Sequence, residues 1–386
     1  MKKLICRVLN IREHKSVVFV DAYTNNDKVE QIMFDKSMFN KQAIKNGDCF
    51  AVTVEPTLNN RRLTIFRAME MLWVSPCQNW EGVKNIQKSS KGYEKYAQIN
   101  ARNAGVQVKV YRLKNDLIRE LSRILDEDGF EQVKCHVLEK ERTASAIPPF
   151  ITYEKSNTKP IYLRITPENQ LKQTSAILLK SVYTIDSVFF NKDPGAKHQP
   201  EMCTLEFVAL DYTEQEILAF MIKVNTIMNR LAKKYGFDTD NVDVPRVVDY
   251  NDLESLHIKY DRRIPEFRNT ILINAPVNSP FVKVNSNGMR TEIKWYINGS
   301  LTGHGYSDET DCQQIKISLE QQKIANNLEQ INEMSYFEWG LPKSVSFGLG
   351  IDALVYRYLN LEHMALASNP LGINYVNHRK NDFQYI

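Results

Sequence analysis

The stretch VYTIDSVFFNKDPGAKHQPEMCTLEFVALDY, residues 182–212, decides how the rest of the chain is read. Its two ends, residues 182–190 and 203–210, are rich in Val, Ile, Phe, Leu and Thr, the composition of strands. The loop between them contains His198-Gln199-Pro200-Glu201. Directly afterwards comes Thr213, with Glu216 three residues on, the signature of a capped helix start. Ile217, Phe220, Met221, Val224, Met228 and Leu231 then recur at helical spacing until Gly236 stops them.

The same grammar extends outward. Upstream, Leu113, Leu117, Leu121 and Leu125, with Ile118 and Ile124, form one apolar stripe that ends at Gly129. Strands are expected at residues 130–138 and 161–165. Downstream, strands at 270–274, 292–297 and 344–347 precede a Gly-x-Gly turn and a last helix from about Ile351. Many strands with few helices between them indicate an α+β antiparallel sheet flanked by helices, not a doubly wound parallel one.

The first 76 residues differ in character. Short strands are expected at 4–11, 17–23, 30–34, 50–54 and 63–71, separated by turns such as Thr24-Asn25-Asn26-Asp27 and Lys45-Asn46-Gly47-Asp48. Five strands in so short a span suit an OB-type β-barrel. Residues 82–108 are polar, Lys-rich and weakly periodic, as in a connector. The expected division is therefore a barrel at 1–80, a hinge at 81–108 and a larger domain at 109–386.

At 386 residues and 44.8 kDa, the chain has room for two or three domains. Hydrophobic residues make up 43% and charged residues 25%, which excludes a disordered or fibrous chain. No apolar run has the length of a membrane helix. Arg7 interrupts the N-terminal apolar stretch too early for a secretory signal, so a cytoplasmic location with no membrane association is expected. The six cysteines are scattered, without Cys-x-x-Cys or a histidine at ligand spacing, so no metal site is expected. Residues 1–115 carry 20 Lys/Arg against 10 Asp/Glu, while the remainder carries 30 against 36. A basic front third is the footprint of a polyanion partner such as nucleic acid, or simply a solvated surface.

Five blocks in order now carry a resemblance. They are LDEDGFEQVKCHVL (125–138), IPPFITYEKSNTKPIYLRITPENQLKQ (147–173), the 182–212 stretch, GHGYSDETD (303–311) and FGLGIDAL (347–354). Together they resemble the class II aminoacyl-tRNA synthetases of the aspartyl/asparaginyl/lysyl branch. The resemblance implies an antiparallel catalytic sheet behind an anticodon-binding barrel, a homodimer, and tRNA, amino acid, ATP and Mg as ligands. Phe19 and Gln31 match the positions that stack on and hydrogen-bond to the central anticodon base. An aromatic face and an amide suit that task. The plainer alternative is a barrel core residue and an exposed strand residue.

The resemblance also marks departures. The second-motif Phe-Arg-x-Glu is here Phe189-Phe190-Asn191-Lys192. The third-motif arginine is Ala353, the adenine-covering Phe is Met202, and the metal-binding Glu is Leu301. The first-motif Pro of the dimer interface is His136. Charge develops on phosphorus during adenylation, so loss of fixed cations and a metal carboxylate argues against ordinary ATP and Mg chemistry. Glu168 matches the acid that holds the substrate's α-amino group, and Glu206 the strand acid that faces the pocket. His198 falls in the nucleotide-contacting loop, and His304 replaces an Asn in the substrate-facing segment. Inherited sheet structure accounts for the two acids equally simply, and surface exposure for His304.

Lys192 and Arg357 are candidates for relocated charge. Lys192 lies two residues after Phe190, and Arg357 lies four after Ala353 on the same helix face. The alternative is that both are solvated cations. Three functions stay open: an enzyme using an amino acid, an aminoacyl-adenylate or aminoacyl-tRNA outside ordinary translation; a non-catalytic tRNA- or protein-binding pseudosynthetase; and an adenylating amino-acid ligase with relocated ATP contacts.

Overall fold

The computed structural model describes residues 1–26, 28–42, 44–58, 64–77, 104–140, 147–155, 159–193, 195, 197–238, 244–261, 263–326 and 340–368. The chain divides into two compact units, one within residues 1–109 and the other spanning 110–369.

In the first unit, β1 (Lys2–Glu13), β2 (Val17–Thr24), β3 (Val29–Asp35), β4 (Cys49–Leu58) and β5 (Thr64–Ser75) close into a barrel ordered β1-β2-β3-β5-β4. Helix α1 (Lys36–Gln42) links β3 to β4. Alternation builds the core. Val18, Val20 and Ala22 of β2, Ile32 and Phe34 of β3, and Phe50, Val52 and Val54 of β4 point inward and are buried. Phe34 meets Phe39 and Phe50 edge-on, each at 5.8 Å between ring centroids. The same period puts Phe19, Asp21 and Gln31 on the outer face. Phe19 is therefore not a core residue.

Helix α2 (Ala104–Glu127), which enters the second unit at Val110, already occupies the last residues of the expected connector; residues 81–103 lie outside the described residues. After α2 come β6 (Glu131–Gln132), β7 (Leu138–Glu139), β8 (Ile151–Tyr153), β9 (Pro160–Leu163) and α3 (Glu168–Leu178). Next are β10 (Val182–Phe189), β11 (Glu201–Leu210), α4 (Glu214–Lys234), β12 (Arg246–Asp249), β13 (Asn269–Pro276), β14 (Thr291–Ile297) and β15 (Ser300–Ser307). Finally come α5 (Cys312–Asn326), β16 (Ser344–Gly350), α6 (Ile351–Tyr358) and α7 (Ala365–Ser368). The main sheet runs β12-β13-β14-β15-β16-β11-β10-β6, and a small sheet runs β7-β9-β8.

The main sheet is antiparallel through its centre, but its two edge strands, β6 and β12, pair parallel, so it is mixed. The single strand expected at 130–138 is also corrected: only its two ends are strand. In between, the buried Arg164 guanidinium takes the Cys135 and His136 carbonyls, and the Gln170 side chain accepts from the His136 N–H. Side chains thus use the groups a ladder would need.

One face of the main sheet carries the core. Leu113, Leu117 and Leu121 of α2 and Phe220, Val224 and Met228 of α4 pack on Leu205 and Phe207 of β11 and Phe347 of β16. Phe207 and Phe347 stack at 4.9 Å. The Thr213–Glu216 capping box starts α4 as expected, with the Thr213 N–H donating to Glu216 at 2.7 Å. The opposite face, on which Thr204 and Glu206 alternate with that core, is left for a cavity.

Candidate functional site

A cavity of about 600 Å³ opens over the centre of the main sheet. Its floor is set by register. Glu206 of β11 and His304 of β15 both pair with Gly348 of β16, so the three form one transverse row. Both side chains rise on the same face with a bare glycine between them. A β-carbon on Gly348 would stand 3.7 Å from His304 Nε2 and 3.8 Å from Glu206 Cγ. The glycine therefore leaves a slot between a carboxyl and an imidazole.

Glu206 accepts one hydrogen bond, from the Thr166 hydroxyl at 2.6 Å. Burial pushes its carboxyl up to about 8, and the neighbouring Glu168 adds to the rise against the Thr166 bond. Burial thus favours the protonated form of this carboxyl.

Glu168 behaves in the opposite way. It sits in the first turn of α3 and accepts from Lys172 Nζ at 2.6 Å and from the Tyr306 hydroxyl. Burial alone would raise it, but the Lys172 charge outweighs burial and holds it below the ordinary carboxylate range. Lys172 also reaches Asp308 at 2.9 Å and lies 5.3 Å from the centroids of Phe281 and Tyr306. Asp308 accepts in addition from Ser344 and Ser346. The two acids therefore do not face each other as unpaired charges awaiting a ligand. An internal lysine already neutralises Glu168, whereas among the described residues no Lys or Arg ion-pairs with Glu206.

His304 opens on the cavity with its side chain 45% exposed, and its Nδ1 lies 2.9 Å from Glu292 Oε2. Burial works against the imidazolium, but the bond to Glu292 and the charges of Glu292, Glu168 and Glu206 together raise its pKa. Glu292 is buried and tied to Lys294 at 2.8 Å, and Lys294 donates to the Tyr260 hydroxyl at 2.6 Å. Burial would lift Glu292, yet His304 and Lys294 hold it below its usual range, so it is ionised and accepts the Nδ1–H.

Phe190, Leu301, Met202 and Ala353, the positions at which the resemblance expects ATP or metal contacts, all line this cavity. So do Lys192, Lys197, His198 and Arg357. Lys192 reaches the cavity by a different route from the expected strand alternation. β10 stops at Phe189, and a tight turn places the Lys192 N–H 2.7 Å from the Phe190 carbonyl. Its side chain is exposed. The His198 Nε2–H donates to the Asp193 carbonyl at 2.7 Å, closing the loop on itself.

Arg357 reaches back along α6, as the helix geometry predicts. It donates to the Leu301 carbonyl and to the Thr302 hydroxyl, the latter at 2.8 Å. Burial, with Arg263 nearby, pulls its pKa down to about 10. Among the described residues no carboxylate ion-pairs with it. The guanidinium is thus bonded at Leu301, where the resemblance expects a metal carboxylate. Among the described residues, no three His, Cys, Asp or Glu side chains gather to hold a metal ion.

On the barrel, Phe19 stands on the outer face with His14 edge-on at 5.5 Å. Gln31 pairs across from Asp21 and donates to it at 3.0 Å, while Arg12 grips both Asp21 oxygens. Phe19 and Gln31 thus share one outer surface of β2 and β3.

Sequence reasoning missed Lys172, Glu292 and Lys294. The first was findable, since Glu168 and Lys172 stand one helical turn apart. The other two become visible only once β14 is registered against β15.

Comparison with known proteins agrees with this geometry. The profile of tRNA synthetases class II (D, K and N) matches residues 91–367. A lysine–tRNA ligase of Fervidobacterium nodosum is 24% identical over an alignment of 416 residues, covering 90% of this chain and 80% of the relative. One from Gloeobacter violaceus is 26% identical over 334 residues, covering 71% and 65%. One from Syntrophomonas wolfei is 29% identical over 159 residues, covering 39% and 31%. No helix among the described residues is long and apolar enough to cross a membrane. With the profile spanning most of the chain and the cavity lying on the matched sheet, the chain belongs to the class II tRNA synthetases of the D, K and N family.

Proposed function

We propose that the chain is a synthetase paralogue that binds an amino acid or aminoacyl group by its ammonium, with chemistry other than standard adenylation. Glu206 carries this reading: a carboxyl raised to about 8, with no Lys or Arg ion-paired to it among the described residues, beside a glycine-floored slot. A ligand ammonium in that slot restores the charge that burial has suppressed. Phe190, Ala353 and Leu301 stand against ordinary use of ATP and Mg. The relatives' names supply tRNA as the natural partner, and the basic first 115 residues are compatible with one. We assign residues 1–80 as an OB-type anticodon-binding-like domain and the part of the chain that begins with α2 as the catalytic-type domain. On the barrel we assign Phe19 to base stacking and Gln31 to reading a base edge. We assign Glu168 a positioning part through Lys172, and we expect a homodimer in the cytoplasm.

The test is a thermal-shift screen of amino acids and non-hydrolysable aminoacyl-adenosine analogues against wild type and Glu206→Gln. Binding should add about 2.7 kcal/mol of stability at a concentration 100 times the dissociation constant. Glu206→Gln should lose that gain. A flat screen refutes the proposal and leaves a non-catalytic pseudosynthetase.

Arg357 favours a second reading, an adenylating ligase with relocated contacts. A half-buried guanidinium with no carboxylate partner among the described residues, lining the same cavity as the exposed Lys192 and Lys197, suits a phosphate.

A further inference from the structure

We propose that His304 is the general base of this cavity and Glu292 its positioning residue, and that together they hydrolyse an aminoacyl ester whose ammonium lies against Glu206. The inference rests on the proposed ammonium site and adds a reaction to it.

The geometry is that of an oriented imidazole. Glu292 accepts the Nδ1–H at 2.9 Å, so the neutral ring carries its lone pair on Nε2. Nε2 points over Gly348 into the slot, and among the described residues nothing hydrogen-bonds it. Glu292 cannot swing away, because Lys294 and, through it, Tyr260 hold it from behind. The charged and titratable groups facing this ring are Glu292 and Lys294 from β14, Glu206 from β11, Glu168 from α3 and the neighbouring Tyr306. The Glu292 carboxylate, with Glu168 beyond it, outweighs burial, which makes the ring a stronger base than free imidazole.

The nucleophile comes from solvent. The hydroxyls of Thr166, Thr302 and Ser346 are committed to Glu206, Arg357 and Asp308. The Thr204 hydroxyl is wholly buried, and burial pushes the Cys203 thiol up to about 12. Water between Nε2 and the ligand is the remaining donor. With the ammonium on Glu206, the acyl carbon lies two bonds from that nitrogen and beside Nε2. His304 takes a proton from water as the water oxygen bonds to the acyl carbon. The ester C–O bond breaks, and the proton passes to the departing alcohol oxygen. The products are a free amino acid and the alcohol. Lys192, Lys197 and Arg357 suit an alcohol that carries phosphates, such as the end of an RNA.

The test uses the full chain with aminoacyl-adenosine esters of the twenty amino acids and the corresponding charged tRNAs, measuring amino-acid release. We expect release above the spontaneous rate for a subset, rising with pH through an inflection above 6.5. His304→Asn should lower kcat/KM by about 10²–10⁴-fold and abolish the inflection. Glu292→Gln should lower kcat with KM little changed and move the inflection to lower pH, which a purely structural role would not do. Thermal stabilisation by a non-hydrolysable analogue is measured on every variant. If the analogue stabilises wild type but no ester is cleaved, the hydrolysis proposal falls and the ammonium site stands. If His304→Asn cleaves as fast as wild type, His304 is not the base. If no analogue binds, both fall.

Discussion

Replacing Glu206 with Gln should stabilise the protein, and increasingly so as the pH rises. In the unfolded chain a glutamate stands near 4.5, whereas burial holds Glu206 at about 8. Between those values the native state keeps a proton that the unfolded state has released. Native stability therefore falls as pH rises through that window. The full difference is worth about 3 kcal/mol at pH 7. Cavity water reaches this side chain and screens it, so we expect about half of that, about 1.5 kcal/mol. Glu206→Gln keeps an acceptor for Thr166 and removes the titration. Urea unfolding at pH 5, 6, 7 and 8 measures the effect. The two proteins should agree within error at pH 5 and diverge steadily above it. His304, whose pKa is raised, also gives stability that is present below 6.5 and lost as pH climbs through its folded value. Because Glu206 is one of the charges that raise His304, the difference between the two proteins also carries a smaller His304 contribution. Parallel stability curves across the whole range would refute the reasoning, because Glu206 would then titrate alike in both states.

Three further outcomes follow from named contacts. Amino-acid-dependent exchange of pyrophosphate into ATP should be absent or very slow with all twenty amino acids; robust exchange that Arg357→Ala abolishes would establish the relocated-charge reading instead. Phe19→Ala should weaken binding to tRNAs with a central anticodon uridine by about 1–3 kcal/mol, read by filter binding across a salt series, and equal affinities would leave Phe19 as surface decoration. Arg164→Met removes a buried guanidinium that reaches Asp186 at 2.7 Å and the Cys135 and Ser187 carbonyls, both at 2.9 Å, and should cost about 3 kcal/mol by denaturant unfolding.

How much was legible depends on the range of the interaction. The barrel strands, the Thr213–Glu216 cap and the apolar stripe of α2 follow from local periodicity, and each appears where the residues place it. Phe19 needed one more step: alternation with Val18 and Val20 sends it outward, and only the closed barrel says which parity is inside. The segment 130–138 was misread because its carbonyls answer to Arg164, which lies about thirty residues away. Glu168 and Glu206 were found as acids, but their charge states were not. Lys172 holds Glu168 below the ordinary carboxylate range, while burial lifts Glu206 above it.

That separation links the lost and kept parts of the site. A synthetase that adenylates needs fixed cations where phosphate arrives, and here Phe190, Ala353 and Leu301 line that region instead. Cations are still present, but the less exposed ones are bound differently. Lys172 is spent on Glu168 and Asp308, Lys294 on Glu292, and Arg357 on the Leu301 carbonyl and Thr302. The first two sharpen neighbouring acids and do not meet a nucleotide. The result is a cavity whose strongest unsatisfied demand is for a positive charge at Glu206, beside an imidazole with its outer nitrogen open. Under the proposed function, such a site meets the amino end of its ligand rather than the phosphate end. The chemistry consistent with it starts from an acyl group that was activated elsewhere.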